Sequence, residues 1–248
     1  MVDLKAWLPI NRKEMQLRKW DELDVIIITG DAYVDHPAFG HAIIGRLIES
    51  HGYKVAILPQ PNWRDDWRDF KKLGKPRLFF GITSGAMDSM VNHYTANKRL
   101  RSNDAYTAGG KAGFRPDYAT SEYAKIVKSL FPDVPIVLGG IEASMRRLSH
   151  YDYWSDSLKP SILIDSKADI LIYGMGERPI LAVAKAIKNN NWRSELKDIP
   201  QIAYSKTDID QYTSEKDIIL LNSYEQELKN KKFYAENFVH FERESNKI

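Results

Sequence analysis

Short apolar runs recur along the chain and alternate with segments that have helical spacing. The runs cover residues 25–28, 55–58, 78–80, 136–138 and 170–173, and a Gly, Pro or Thr follows each of them. Continuous apolar runs of this length are typical of parallel strands that are covered on both faces. Between them, residues 42–50, 121–131 and 179–188 space their apolar side chains as amphipathic helices do.

This alternation predicts an α/β fold with an open, mostly parallel sheet of about five strands and helices on both faces. A sheet of this kind is flavodoxin-like. We expect the domain to span residues 21–190, after an N-terminal arm of residues 1–20. Residues 191–248 are polar and predict a connector with a short strand near 202–204 and a helix near 224–235. In sheets of this type, ligands bind at the carboxyl ends of the strands.

Composition excludes several classes of protein. The 36 Lys and Arg residues against 33 Asp and Glu leave a formal charge of +3, which does not indicate nucleic acid or an acidic membrane surface as a partner. The absence of cysteine excludes disulfides, thiolate zinc sites and a cysteine-ligated iron–sulfur cluster within this chain. No apolar run approaches a membrane span or a signal peptide, so we expect a cytoplasmic protein.

The segment after the first strand carries candidate chemistry. Gly30 and Gly40 bracket Asp31, Asp35 and His36. A carboxylate beside an imidazole can orient it as a proton carrier or a metal ligand. The same residues also suit a loop that only caps the next helix, and both interpretations remain open.

The other strand ends carry small residues. Thr83, Ser84 and Gly85 follow the third strand, but Ile82 stands where a nucleophile elbow needs glycine, so serine hydrolase chemistry is not indicated. Glycines that give a ligand room follow the fourth and fifth strands, together with one acidic residue: Gly139, Gly140, Gly174, Gly176 and Glu177. Pro179 replaces the third glycine of a dinucleotide fingerprint, which argues against NAD.

Two runs, residues 62–70 and 146–154, are rich in aromatic and basic residues. Side chains of this kind can stack on a ligand, dock another protein or pack internally, and the three interpretations remain open. The connection over residues 94–117 is longer than ordinary loops, and such loops are often functional.

Five long motifs together resemble the N-terminal part of the YgiQ-type radical SAM proteins, and the resemblance covers nearly the whole chain. The motifs are Gly30-Asp-Ala-Tyr-Val-Asp-His-Pro-Ala-Phe-Gly40, Pro59-Gln-Pro-Asn-Trp-Arg-Asp-Asp66, Met87-Asp-Ser-Met-Val-Asn-His-Tyr-Thr-Ala-Asn-Lys-Arg-Leu-Arg101, Gly139-Gly-Ile-Glu-Ala-Ser-Met-Arg-Arg-Leu-Ser-His-Tyr-Asp-Tyr-Trp154 and Tyr173-Gly-Met-Gly-Glu-Arg-Pro179.

The resemblance implies a cobalamin-binding-type domain followed, in the family, by a radical SAM barrel. That barrel binds a 4Fe–4S cluster through a Cys-x-x-x-Cys-x-x-Cys motif and reduces S-adenosylmethionine. Because this chain has no cysteine, the resemblance implies an accessory domain that is not catalytic alone and has the radical SAM module as its partner. Two alternatives stay open: a self-sufficient small-molecule enzyme that uses Asp35, His36 and Glu177, or a protein-interaction module.

The resemblance also makes cobalamin a candidate cofactor at the strand ends. Cobalamin domains that replace the lower axial base use Asp-x-His-x-x-Gly, whereas Asp35 and His36 are adjacent here and Gly40 comes four residues later. We therefore expect that His36 does not coordinate cobalt, and that side chains added at Gly139 or Gly140 block entry of a large ligand.

Overall fold

The computed structural model describes residues 6–190, 192–206 and 218–245. The chain divides into two compact units. The first consists of Met1–Leu148 and Ser161–Tyr204, and the second of Ser149–Pro160 and Ser205–Ile248.

A six-stranded sheet forms the centre of the first unit, with the order β2-β1-β3-β4-β7-β8. The strands along the chain are β1 Val25–Thr29, β2 Val55–Pro59, β3 Phe79–Thr83, β4 Ile136–Leu138, β5 His150–Asp152, β6 Ser157–Lys159, β7 Ile170–Ile172 and β8 Ile202–Tyr204. The pairs among β1, β2, β3, β4 and β7 are parallel, and β8 is antiparallel to β7. Without the β8 edge, this is the flavodoxin-like strand order.

Helices cover both faces of this sheet, as the alternating pattern predicts. The helices along the chain are α1 Arg12–Leu17, α2 Gly40–Ser50, α3 Arg68–Lys71, α4 Ser89–His93, α5 Ala119–Leu130, α6 Gly140–Met145, α7 Ile162–Ser166, α8 Glu177–Lys188, α9 Trp192–Glu195, α10 Tyr224–Lys229 and α11 Lys231–Ser245. The predicted α/β fold class is therefore confirmed, including the three predicted amphipathic helices α2, α5 and α8.

Alternate residues of each strand enter two separate cores. Ile26 and Ile28 of β1 pack in the cluster that contains Tyr123 of α5, whereas Ile27 packs in the cluster that contains Ile48 of α2 and Val183 of α8. Because side chains of a strand alternate between faces, an uninterrupted apolar run fills both cores.

Segments on either side of residues 21–190 contact the sheet of the first unit. Leu8, in the predicted arm, is fully buried, and the amide of Ile57 in edge strand β2 donates to the Pro9 carbonyl at 2.9 Å. At the other end β8, predicted as part of the connector, pairs with β7. The limits at residues 20 and 190 stay predictions, and the contacts place residues up to Tyr204 with the sheet.

The second unit contains the antiparallel pair β5–β6 and helices α10 and α11. Instead of one helix near 224–235, two helices are separated at Asn230, whose backbone is extended with φ −151° and ψ 116°. Asn237 of α11 donates to Glu227 of α10 at 2.7 Å and also bonds Asn222. These buried polar contacts hold the two helices together.

Truncation of Ile28 tests the double-sided core. Ile28 is fully buried in β1, so Ile28→Ala removes apolar contacts and leaves a cavity. We expect the free energy of unfolding to fall by about 2–5 kcal/mol. Ile164→Ala is the matched control, because Ile164 is 60% exposed and its loss costs less than about 0.5 kcal/mol. Urea titration of both variants checks this, and equal losses would contradict the assigned core.

Candidate ligand-binding cleft at the carboxyl edge of the sheet

An apolar cleft of about 210 Å³ lies between the sheet, α2 and α8. Ile27, Phe79, Val137 and Ile172 form its floor from four parallel strands, and residues of α2 and α8 form its walls. It reaches the ends of β3, β4 and β7, where the sequence predicts ligand binding. We call this site the edge cleft.

His41 is the distinctive polar side chain of the edge cleft. It lies in the first turn of α2, is 3% exposed, and its Nδ1 lies 3.4 Å from the Thr29 hydroxyl. Its Nε2 is buried and has no hydrogen-bond partner. Burial lowers the pKa of His41 to about 4, so the ring is neutral at pH 7. A buried ring nitrogen without a partner can bond a ligand that enters the cleft.

Four of the glycines that line the cleft differ in the space available for a side chain. At Gly139 and Gly40 an added Cβ would meet nothing within 4 Å, so these positions face open space. At Gly140, φ is +84° and a Cβ would overlap the Thr83 hydroxyl. At Gly85, φ is +111° and a Cβ would overlap the Asp31 carboxylate. At Gly140 and Gly85, the positive φ and the close neighbour both require glycine.

Arg115 is fully buried between two carboxylates behind the strand ends. Its guanidinium lies 2.7 Å from Asp31 Oδ1 and 3.0 Å from Asp104 Oδ2, and it donates to the Ser84 carbonyl at 2.8 Å. Asp31 also accepts from the Ala86 amide at 2.6 Å. This arrangement, which we call the Arg115 cluster, ties the ends of β1 and β3 to the long connection.

The electrostatics of the Arg115 cluster favour a structural role. Burial raises the pKa of Asp31, against the opposing effects of Arg115 and the Ala86 amide. Burial also acts to raise the pKa of Asp104, but the Tyr106 amide, Arg115 and Asn92 outweigh it and hold that pKa low. Both carboxylates are fully enclosed, so they position the loops and do not face a ligand.

Asp35, His36 and Glu177 do not form one catalytic group. Asp35 forms an ion pair with Arg46 of α2, which is the main cause of its lowered pKa. His36 is exposed, and its Nδ1 accepts from the nearby Ala38 amide at 3.1 Å. Glu177 begins α8 and lines the edge cleft. Each side chain therefore has separate surroundings.

The structure brings most of the predicted site residues to the cleft. Eight of them line it, namely Gly40, Thr83, Gly85, Gly139, Gly140, Gly174, Gly176 and Glu177. Five lie outside its lining, namely Gly30, Asp31, Asp35, His36 and Ser84. Ser84 donates its hydroxyl to the Met87 carbonyl at 2.8 Å, and a Cβ at Gly30 would overlap the Ser84 carbonyl. These two positions serve the turn itself.

Glu142 is a further buried carboxylate, and the sequence analysis did not identify it as a site residue. It is fully buried in α6 and accepts from the amides of Ser89 at 3.1 Å and Thr120 at 2.9 Å. Those amides belong to the first turns of α4 and α5, where a carboxylate satisfies free backbone donors. Burial raises the pKa of Glu142, with Arg146 opposing the change. Glu142 thus joins two helix starts beside the edge.

Internal packing accounts for much of the two aromatic and basic runs. Trp63 and Trp67 pack against a buried core cluster, and the Arg64 guanidinium lies 4.4 Å from the Trp63 ring centre. In the second run, Arg147 lies over the Tyr173 ring at 4.9 Å. Tyr151 and Tyr153 of the second run are about half exposed, so docking of another protein stays open for that run.

Across residues 6–190, 192–206 and 218–245, no cluster of three or more His, Cys, Asp or Glu is arranged to hold a metal ion. Within the same ranges, none of the helices combines the length and apolarity that crossing a membrane requires.

Comparison with known proteins assigns the family. The profile of the family described as Radical SAM N-terminal matches residues 7–248. The chain therefore belongs to the Radical SAM N-terminal family, and the resemblance seen in its motifs to the N-terminal part of radical SAM proteins is confirmed.

Curated relatives are longer than this chain. A UPF0313 protein from Bacteroides thetaiotaomicron is 58% identical, over 98% of this chain and 41% of the relative. A UPF0313 protein from Porphyromonas gingivalis is 56% identical, over 98% of this chain and 38% of the relative. The chain thus spans about two fifths of the length of these curated relatives.

Solved structures of the radical S-adenosylmethionine methyltransferase TsrM from Kitasatospora setae are also similar. One, with tryptophan substrate and a SAM analogue bound, has a TM-score of 0.48 and 17% identity, covering 74% of this chain and 28% of TsrM. Another, with cobalamin and a 4Fe–4S cluster bound, has a TM-score of 0.47 and 18% identity, covering 74% of this chain and 29% of TsrM.

Substitution of Arg115 tests the cluster behind the edge. Arg115→Met leaves Asp31 and Asp104 buried without their cation, so we expect the free energy of unfolding to fall by about 3–5 kcal/mol. Arg99→Met, at an exposed arginine of the same connection, changes it by less than about 0.5 kcal/mol. Urea unfolding at pH 7 measures both. Similar, small losses would show that the cluster is not a structural anchor.

Burial of neutral His41 predicts a dependence of stability on pH. Its pKa is about 4 in the folded chain, against 6.5 for an unperturbed histidine. Between these values the unfolded chain binds a proton that the folded chain does not, so stability falls as pH falls. At pH 5 the loss is about 2 kcal/mol relative to pH 7.

His41→Gln, which cannot titrate, removes this component of the acid sensitivity. His51→Gln is the matched control at an exposed histidine, and it keeps the sensitivity of the wild-type chain. Urea unfolding at pH 7 and pH 5 gives the comparison. An unchanged pH dependence in His41→Gln would rule out a neutral buried ring.

Proposed function

We propose that this chain is the N-terminal accessory domain of a YgiQ-type radical SAM protein and that it holds a cofactor or substrate in the edge cleft. The observation that carries the proposal is the apolar cleft at the carboxyl ends of the parallel strands, in a chain of the Radical SAM N-terminal family. The chain supplies binding surface and is not catalytic alone.

Catalysis in the whole protein then depends on a radical SAM module outside these residues. The curated relatives are more than twice as long as the matched region. The sequence has no cysteine, so it offers no thiolate for a 4Fe–4S cluster. The cluster and S-adenosylmethionine would bind the partner module, and we expect the protein to work in the cytoplasm.

Cobalamin is the cofactor that we propose for the cleft. Pockets that enclose a drug-sized ligand have volumes of about 300–1,000 Å³, so a cleft of about 210 Å³ can bury only part of such a large molecule. The apolar floor and the unpartnered His41 Nε2 suit a flat aromatic group with one polar atom, such as the base on the cobalamin tail. Gly139, which lines the cleft and faces open space, would leave room for the part of the ligand that is not buried.

Bound cobalamin would supply its cobalt centre for methyl or electron transfer. The residues of this chain would bind and orient it. The apolar strand residues would exclude water from the buried base, and His41 Nε2 would bond its polar atom. His36 is exposed and turned to its own loop, which supports the expectation that it does not coordinate cobalt.

The separate surroundings of Asp35, His36 and Glu177 weigh against the self-sufficient enzyme. General acid–base catalysis needs its groups within reach of one reacting centre. Asp35 is instead held by Arg46, and of the three residues only Glu177 lines the cleft.

Closing the entrance at Gly139 tests the proposed site. Gly139 has extended backbone angles that any residue adopts, and an added side chain meets open space. We expect Gly139→Leu to fold normally and to weaken hydroxocobalamin binding at least tenfold, because the side chain occupies the ligand's path. Spectral titration with hydroxocobalamin and calorimetry measure the affinity.

His36→Ala is the matched control, and it should leave the affinity within about twofold. Gly140 is unsuitable for this test, because a side chain there strains the backbone and displaces Thr83. Absence of hydroxocobalamin binding at millimolar concentration would reject cobalamin as the ligand. Equal binding by the wild-type chain and Gly139→Leu would place it elsewhere.

A further inference from the structure

A second cavity, of about 580 Å³, lies away from the edge cleft and shares no lining residue with it. It lies between the segment after β2, the end of α4, and the connection that leads into α5. Its volume falls within the range of about 300–1,000 Å³ that is usual for small-molecule sites. We call it the His93 cavity.

His93 is a buried polar residue that lines this cavity. The residue is 6% exposed, its Nδ1 lies 2.8 Å from Asp117 Oδ1, and Tyr94 donates its hydroxyl to the other carboxylate oxygen at 3.0 Å. The Nε2 atom is buried and has no hydrogen-bond partner. Buried polar atoms are normally bonded, so this nitrogen calls for a partner that the protein does not supply.

The contact with Asp117 determines what that partner must offer. An ionised carboxylate only accepts hydrogen bonds, so Nδ1 carries the proton of the imidazole. In the neutral ring, Nε2 is then the acceptor, with its orientation fixed by Asp117. A ligand that satisfies the neutral ring must donate an N–H or O–H group.

The remaining walls favour a flat and uncharged ligand. Trp63, Tyr94 and Tyr118 contribute three aromatic side chains, and Leu100 adds an apolar one. Both arginines at the cavity are already engaged. Arg115 is paired with Asp31 and Asp104, and Arg64 donates to the Gly113 carbonyl at 2.7 Å and lies over the Trp63 ring.

We propose that the His93 cavity binds a small, uncharged heteroaromatic ring whose ring N–H donates to His93 Nε2. The aromatic walls provide stacking surface, and the single oriented acceptor provides specificity. This site is independent of the edge cleft and of cobalamin.

Isomeric methylindoles test the role of the ring N–H. Indole and 3-methylindole keep the N–H, whereas 1-methylindole has the same size as 3-methylindole and lacks it. With ¹⁵N-labelled histidine, we expect indole and 3-methylindole to shift the His93 Nε2 resonance at millimolar concentration. 1-Methylindole should bind at least tenfold more weakly. This comparison uses the wild-type chain, so it does not depend on a variant that folds.

A variant and a second ligand class complete the test. His93→Phe keeps an aromatic ring without the acceptor and should weaken 3-methylindole binding at least tenfold, whereas the exposed-site control His51→Phe should not. Hypoxanthine shows whether purines also enter, and binding of either class supports the proposal. It is overturned if neither class binds, or if 1-methylindole and 3-methylindole bind equally well.

Discussion

The enclosure of one guanidinium between two carboxylates is the constraint on which the carboxyl edge of the sheet depends. Arg115 is fully buried, so it cannot exist there without Asp31 and Asp104. Through these bonds and its bond to the Ser84 carbonyl, the cluster joins the loops after β1 and β3 to the long connection. Gly85 allows this approach, because any side chain there would overlap Asp31.

The buried polar residues near the edge cleft and the His93 cavity have two different roles. Asp31 and Asp104 form ion pairs with Arg115 that hold loops together, and Glu142 accepts hydrogen bonds from amides at two helix starts. His41 and His93 each keep one buried ring nitrogen without a partner, and each lines a different opening. These three carboxylates therefore belong to the scaffold, and we propose that the two histidines bond ligands.

The fold was predictable because strands that are buried on both faces appear in the sequence as continuous apolar runs. A strand between two helical layers is apolar at every position, so the runs that became β1, β2, β3, β4 and β7 were recognisable. The short edge strand β8 was also foreseen. Its place in the sheet was not, because pairing with β7 is a tertiary contact between segments that a helix separates.

The site was less predictable, because the direction in which the backbone turns a side chain, and not the residue type, decides whether that side chain faces a cleft. His36 and His41 follow the same strand, yet His36 is exposed in the loop and His41 turns inward from α2. Arg115 looks in the sequence like one more basic residue of a glycine-rich connection. Only the contact between distant segments places it against Asp31. Glycines were better guides, since Gly139 and Gly140 do mark the cleft.

Hydrogen exchange with and without hydroxocobalamin tests the central claim most directly, namely that the edge cleft is the place where this domain holds its ligand. We expect slower amide exchange at the starts of α2, α6 and α8, which border the cleft, and unchanged exchange in α10 and α11. Protection confined to the second unit, or no protection at the cleft at saturating ligand, would contradict it.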